Sequence, residues 1–262
     1  METAGGAAAD PGIRLALFAL LFILLAALEQ AFAARPQMGD NHRRAITNFG
    51  FGICNALLGA AVPIGAVYAA AFAGAHGIGL FRLVPAPVWA MLAIYLLARS
   101  LAAYGFHRAS HRLAWLWRIH RVHHSDRFVD LSTAFRNHPF ELLCALVLAA
   151  LTTGALGVPL PIVVVGELIL FAPALWTHAN LSLPRALERG AGWLVVTPAV
   201  HLRHHSSLKA ECDSNYGELL VLWDRLFGSY RPAAPVERLG LGDLEDKHAD
   251  DLVRQVVRPF RP

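Results

Sequence analysis

The sequence predicts an all-α fold: an integral membrane helical bundle of about four spanning helices in two hairpins, with a cytoplasmic helical cap carrying a di-metal histidine site. Three observations predict it. The 262 residues are 56% hydrophobic and 16% charged, with a mean hydropathy of +0.45, too apolar for an ordinary soluble domain. Long uncharged runs recur along the chain, and no repeat, low-complexity tract or polar linker divides it. Ten of the thirteen histidines lie between His107 and His205, most of them in tight groups.

Taken in order, residues 1–12 read as a disordered tail, 13–230 as the membrane-embedded domain and 231–262 as a polar C-terminal tail with a short amphipathic helix. The run from Leu15 to Ala34 is long enough to cross a bilayer. Its Ala31-Phe32-Ala33 resembles a signal-peptide cleavage site, but Glu2, Asp10 and the lack of a basic residue before Arg14 favour a retained helix. Ala45 to Phe81 is uncharged, enough for a tilted helix and a loop rich in glycine (Gly74, Gly77, Gly79). A third span covers about Pro87 to Ala103, with Arg99 near its end, where its stem can reach the headgroups. From Phe140 to Leu183 two apolar arms meet at Gly154, Gly157, Pro159 and Pro161, the pattern of a helical hairpin. Glu167 in the second arm is either functional or near the interface. Trp115, Trp117, Trp176 and Trp223 read as an aromatic belt. Leu252, Val253, Val256 and Val257 form the apolar face of the tail helix.

Basic residues set the orientation. Arg35, Arg43 and Arg44 lie between the first two spans, Arg108 to Arg127 follow the third, and Arg185, Arg189 and Arg203 follow the hairpin, whereas the loop between spans two and three carries only Arg82. The positive-inside rule then places the histidine groups together at the cytoplasmic face. A bacterial inner membrane or an ER-type membrane suits such a chain, and no nucleic-acid partner is expected.

The histidine groups are His107 and His111 in HRASH, His120, His123 and His124 in HRVHH, and His201, His204 and His205 in HLRHH, with His138 and His178 alone between them. Side chains three and four apart share a helix face, so each group aims its imidazoles one way. Thr197-Pro198 is a start signal for the last helix. Neutral imidazole is a favoured ligand of transition metals, and eight clustered rings exceed the needs of one ion. At about 100° per residue, a straight helix from His107 to His124 would point the first two groups to nearly opposite sides. A break between Leu113 and Trp117 is therefore expected. The three cysteines, Cys54, Cys144 and Cys212, form neither a disulfide framework nor a CxxC site.

The order HxxxH, HxxHH and HxxHH between apolar hairpins resembles the fatty acid hydroxylase/sterol desaturase superfamily. His-His-Ser-Asp at 123–126, Phe-Arg-x-His-Pro-x-Glu at 135–141, Trp-x-His-x-Asn at 176–180, Asn-Tyr-Gly at 215–217 and Trp-Asp-Arg-Leu-Phe-Gly at 223–228 extend the likeness over roughly Arg43 to Tyr230. The resemblance implies a membrane-bound non-haem enzyme with two iron ions as cofactor and O2 as co-substrate, which hydroxylates or desaturates a sterol, fatty acyl or sphingolipid-type lipid. It implies that the eight clustered histidines are both metal ligands and catalytic. It also admits His178 and, ranked behind it, His138 as residues that complete the coordination. Asp126, Asp130, Glu141 and Asp213 are candidates to accept the second ring N–H of ligating histidines, and Asn180 is a further candidate beside the site.

Electrons are expected from an external carrier, cytochrome b5-like, a ferredoxin or a reductase, because a twelve-residue amino-terminal tail holds no haem or flavin domain. The arginines among the ligands either dock that carrier or only fix topology and touch lipid headgroups. Two rivals stand beside this reading. A metal transporter would place its ligands near the bilayer midplane, not beyond the spans among arginines. A catalytically inactive lipid-binding relative would have no physical need for the full histidine set.

Overall fold

The computed structural model describes residues 11–36, 41–242 and 248–261. Of the expected disordered tail, residues 1–10 lie outside the described residues, and a helix already begins at Pro11. Among the described residues the architecture is all-helical, with isolated β-bridges and no named strand. Four helical stretches are long and apolar enough to cross a membrane: His42–Leu83, Val88–Arg112, Pro139–Leu156 and Leu160–His178, joined by a shorter apolar helix at Leu15–Ala31.

The first helix, α1 (Pro11–Ala31), packs on the arm that ends at His178. The second apolar run is broken, not one tilted helix: α2 (His42–Ala61) and α3 (Ala66–His76) are separated at Val62–Gly65. Pro63 has no N–H to continue the helix, and Gly65 takes φ 133° there. After the short α4 (Leu80–Leu83), α5 (Val88–Arg112) runs past its expected end at Ala103 and carries His107 and His111 on the same rod. The expected break follows at once. Leu113 is extended, with φ −97° and ψ 118°, and α6 (Ala114–His124) starts in a new direction. The hairpin forms as its composition suggests, with α7 (Pro139–Leu156) and α8 (Leu160–His178) meeting at Gly157, whose left-handed φ of 64° ends α7.

Apolar packing is concentrated in two places. Ala66, Ala70, Tyr95, Ala149 and Val163 join α3, α5, α7 and α8 within the bundle. Leu25, Leu131, Leu175 and Leu181 join α1 and α8 around a 3₁₀ turn, Leu131–Phe135. Large apolar side chains such as Leu15, Leu57, Phe72 and Leu151 point outward, as they do where the surrounding solvent is lipid. Arg99 does not reach for headgroups. Its Nε lies 3.0 Å from Glu167 Oε1, which also accepts from Tyr95 Oη at 2.7 Å, so the intramembrane charges neutralise each other across α5 and α8. Of the four tryptophans read as a belt, Trp115 is exposed, whereas Trp176 Nε1 donates to Val196 O and Trp223 Nε1 to Ser100 Oγ.

Beyond the spans the chain forms a cap of short helices: α9 (Arg185–Ala191), α10 (Pro198–His204), α11 (Lys209–Cys212), α12 (Leu222–Leu226) and α13 (Leu252–Val257). The tail helix forms, but Val253 of its expected apolar face is exposed. Gln255 is buried, and Arg136 donates to Ala249 O. Beneath α6 lies a fully buried polar knot. Arg44 pairs with both Asp126 and Asp130, and Asn48 and Thr133 also donate to Asp126, at 2.9 and 2.8 Å. Removing the cation would strand two buried carboxylates. Arg44→Ala is expected to lower unfolding free energy by about 3–5 kcal/mol, checked by thermal unfolding in detergent. At the opposite end, Gly79 and Gly157 cross closely: a Cβ on Gly157 would lie 2.4 Å from Ile78 O. Gly157→Ala should cost about 1–2 kcal/mol from its left-handed φ alone, and more from that clash, in the same assay.

Candidate metal centre

Nine imidazoles converge from four helices and the residue capping one of them, and they do so in two groups. Site A gathers His107, His111, His120, His124 and His204; site B gathers His123, His178, His201 and His205, with the ligand atoms of each site within 4.8 Å of one another. The spacing explains the sorting. Residues four apart on a helix share a face, and the residue at the intermediate position three along points to the other side of that face. His107 with His111, and His120 with His124, therefore serve site A, while His123 swings to site B. In the last group the pattern reverses: His201 and His205 serve site B and His204 serves site A. The two sites touch, with the His124 and His205 rings 4.7 Å apart between centroids. The break at Leu113 lets α5 and α6 share one site, the His107 and His120 rings standing 4.8 Å apart.

The outer nitrogens decide what the inner ones can be. His107 Nδ1 lies 2.8 Å from Tyr216 O, His204 Nδ1 2.7 Å from Ser214 O, His178 Nδ1 2.7 Å from Ala174 O and His123 Nδ1 3.3 Å from Arg136 O. A carbonyl oxygen only accepts, so each Nδ1 carries the proton and each Nε2 a lone pair. His120 Nδ1 donates likewise to Glu141 Oε1 at 2.7 Å. Consequently His123 Nε2 and His178 Nε2 face each other at 3.1 Å with no proton between them. His107 Nε2, His111 Nε2 and His204 Nε2 are buried with no hydrogen-bond partner among the described residues. Such an arrangement is repulsive unless a cation lies among the lone pairs.

The spacing fits one. Two imidazoles bound about 2.1 Å from an ion stand about 3.0 Å apart at a right angle and about 3.4 Å apart at a tetrahedral one. The His178–His201, His201–His205 and His120–His124 Nε2 pairs are separated by 3.1, 3.2 and 3.2 Å. Burial, then neighbouring imidazoles, hold His123, His124, His201 and His205 well below the ordinary histidine range, and His204 is lowered to about 3. These rings are neutral at pH 7, the form that binds metal. Cys212 Sγ, 3.7 Å from His124 Nδ1, lies outside both groups, and burial raises its thiol to about 12.

Other expected residues lie elsewhere. His138 is outside both groups; its Nδ1 accepts from Phe140 N–H at 3.2 Å to cap α7, and its Nε2 donates to Val256 O at 3.0 Å. With both nitrogens committed it has no lone pair to offer. Asp126 and Asp130 turn to Arg44 and the polar knot and accept no hydrogen bond from a site histidine. Asn180 holds the chain leaving α1, exchanging hydrogen bonds with Arg35 N and O at 3.0 and 2.8 Å. Glu141 takes the place proposed for it, and Asp213 Oδ1 stands 3.4 Å from His111 Nδ1.

Several supports carry no signal in the histidine spacing. Arg136, fully buried, donates to Val122 O at 2.9 Å and to Ser125 Oγ and Asn48 Oδ1 at 2.8 Å, and so ties down the end of α6 while its own carbonyl orients His123. Asp224 accepts from Tyr216 N at 2.8 Å and Gly217 N at 2.7 Å, fixing the carbonyl that orients His107. Asn215 adopts a left-handed φ of 53°, and its side chain bonds Val200 O and Arg231 at both atoms. These residues lie within the linking motifs already quoted, and only the fold shows their work. The arginines near the site are partly spent on the tail: Arg118 donates to Arg261 O, Arg121 to Arg258 O, and Arg127 pairs with Asp250.

A cavity of about 820 Å3 opens against the histidines. Phe18, Phe22, Phe49, Phe135 and Phe171 form one contiguous aromatic wall, and His107, His120, His123, His178 and His201 reach the same space. That volume and lining suit a long apolar chain.

Comparison with known proteins gives the same direction. The model of the family described as fatty acid hydroxylase matches residues 92–229. An ornithine lipid hydroxylase of Rhizobium tropici is 32% identical over 177 residues, 66% of this chain and 52% of its own length. Alkylglycerol monooxygenases of Danio rerio and Homo sapiens are 31% and 28% identical, over 54% and 48% of this chain and 31% and 27% of theirs. The chain thus spans about half the length of the first relative and less than a third of the other two. No solved structure matches. With more than half of its length and all nine converging histidines inside the matched segment, the chain belongs to the fatty acid hydroxylase family.

Proposed function

We propose that this chain is a membrane-bound, O2-dependent di-iron oxidoreductase that hydroxylates a C–H bond of a lipid. The observation that carries the reading is the convergence of nine imidazoles in two adjoining groups, five of them on the wall of an apolar cavity. Imidazole sets suit iron, and the relatives' names, hydroxylase and monooxygenase, favour hydroxylation over desaturation. Two iron ions in sites A and B would supply an oxidant from O2 strong enough for an unactivated C–H bond, which no side chain acid or base can attack. The overall balance is R–H with O2, two electrons and two protons giving R–OH and water.

The residues of this chain contribute position and exclusion. His107, His123, His178 and His204 are aimed by backbone carbonyls, and His120 by the Glu141 carboxylate, so their lone pairs are set before any ligand arrives. That carboxylate also offsets part of the charge that an all-imidazole ligand set leaves uncompensated. The aromatic wall holds the acyl or alkyl chain against the histidines and keeps water from the reacting carbon. Electrons come from an external carrier, a cytochrome b5-like protein, ferredoxin or reductase. The site faces the cytoplasm, a placement supported by the arginines clustered at its end of the bundle and the single Arg82 in the far loop.

Purified protein given iron, a reductase–ferredoxin pair, labelled O2 and a mixed lipid extract should return a lipid carrying one oxygen atom from that O2. An unchanged extract with both irons bound would favour the inactive lipid-binding alternative. His123→Ala, from site B, and His204→Ala, from site A, should each lose bound iron and all turnover, measured by metal analysis and mass spectrometry. His138→Ala, by contrast, should keep its full iron content while losing about 1 kcal/mol of stability with its cap. Iron loss in that variant would return His138 to the ligand set.

A further inference from the structure

One carboxylate on the cavity wall has no role in the arrangement above. Glu218 follows the Asn-Tyr-Gly turn that holds His107 and lines the same cavity as the histidines. Its side chain is accessible and lines both this cavity and a smaller pocket beside Ser100 and Trp223, while surrounding protein atoms desolvate its carboxyl. Desolvation raises its carboxyl above the usual range, and the neighbouring Glu141 raises it further. No hydrogen bond or ion pair to Glu218 occurs among the described residues. Glu141 is half-engaged: Oε1 accepts from His120, and Oε2 is buried without a partner. Arg99 is the one Arg or Lys among the described lining residues, and Glu167 already takes it. The cavity therefore has an aromatic wall from α1, α2, the 3₁₀ turn and α8, and an acidic corner with acceptor atoms to spare. A buried acceptor without a donor is costly, and a second carboxylate brought beside it would be more so.

We propose that Glu218, on the cavity wall that also carries Glu141, binds a hydrogen-bond-donating end group of the substrate, an ammonium or a hydroxyl. The substrate is then an amino- or hydroxyl-ended lipid and not a free fatty acid. This rests on the cavity being the substrate site of the oxygenase proposed above. Glu218 determines specificity: it accepts the donor, fixes how far the chain enters along the aromatic wall, and repels a carboxylate end.

The test uses the full iron-loaded chain in nanodiscs and three probes with the same sixteen-carbon chain: hexadecylamine, a hexadecylglycerol ether and palmitate. The amine and the ether should bind at least about tenfold more tightly than palmitate, the range of a hydrogen bond to a charged acceptor. Glu218→Gln should weaken the amine about tenfold and spare the ether, and Glu218→Ala should weaken both. Bound iron, measured on each variant, should stay at the wild-type level. Palmitate binding as tightly as the ether, or amine and ether affinities unchanged in both variants, would overturn the proposal. Labelled-O2 turnover is read separately. Selective binding without turnover would sink the oxygenase reading and leave the end-group site, whereas turnover on palmitate alone would do the reverse.

Discussion

Imidazole lone pairs pressed together without protons between them are the constraint around which this molecule is built. His123 and His178 face each other through unprotonated Nε2 atoms at 3.1 Å, and three further Nε2 atoms are buried with no hydrogen-bond partner among the described residues. A fold tolerates such crowding only if the rings cannot turn away. Here carbonyls of Tyr216, Ser214, Ala174 and Arg136 and the carboxylate of Glu141 grip the outer nitrogens. Those grips are held in turn by Asp224 and by Arg136 itself. The protein thus spends a shell of ordinary hydrogen bonds to keep an unfavourable arrangement in place, the signature of a preorganised metal site.

The membrane part serves that shell in two ways. Its rods extend past the apolar layer, so that α5 and α8 deliver His107, His111 and His178 directly from spanning helices. Its loose packing on one side leaves the aromatic-walled cavity that reaches the histidines. The charged residues inside the bundle are matched before they are useful to anything else: Arg99 with Glu167, and Arg44 with Asp126 and Asp130. In a low-dielectric setting this pairing is what makes Glu218, without a partner among the described residues, conspicuous.

The spans, the hairpin turn at Gly157 and the break at Leu113 were legible because each rests on local rules: run length, proline and glycine chemistry, and the angular arithmetic of a helix. The histidines themselves stand out by their grouping. Less was legible wherever a side chain's partner lies far along the chain. His138 shares a motif with true neighbours of the site, yet its two nitrogens are taken by Phe140 and Val256, the latter from the C-terminal tail. Asp126 sits two residues from the HRVHH group, yet it faces Arg44, which lies 82 positions earlier. Proximity in sequence misled in both cases because hydrogen-bond partners are chosen in space.

The amino-acid sequence alone determined an all-helical chain with stretches long and apolar enough to cross a membrane and with histidines grouped as metal ligands are, since composition and helical periodicity are properties of short segments. Which ring joins which site, which carboxylates support them, and where an unpaired acid meets the aromatic-walled cavity were decided only by the tertiary structure. Those are questions of distance between residues up to a hundred positions apart, and only the packing of helices against one another sets such distances.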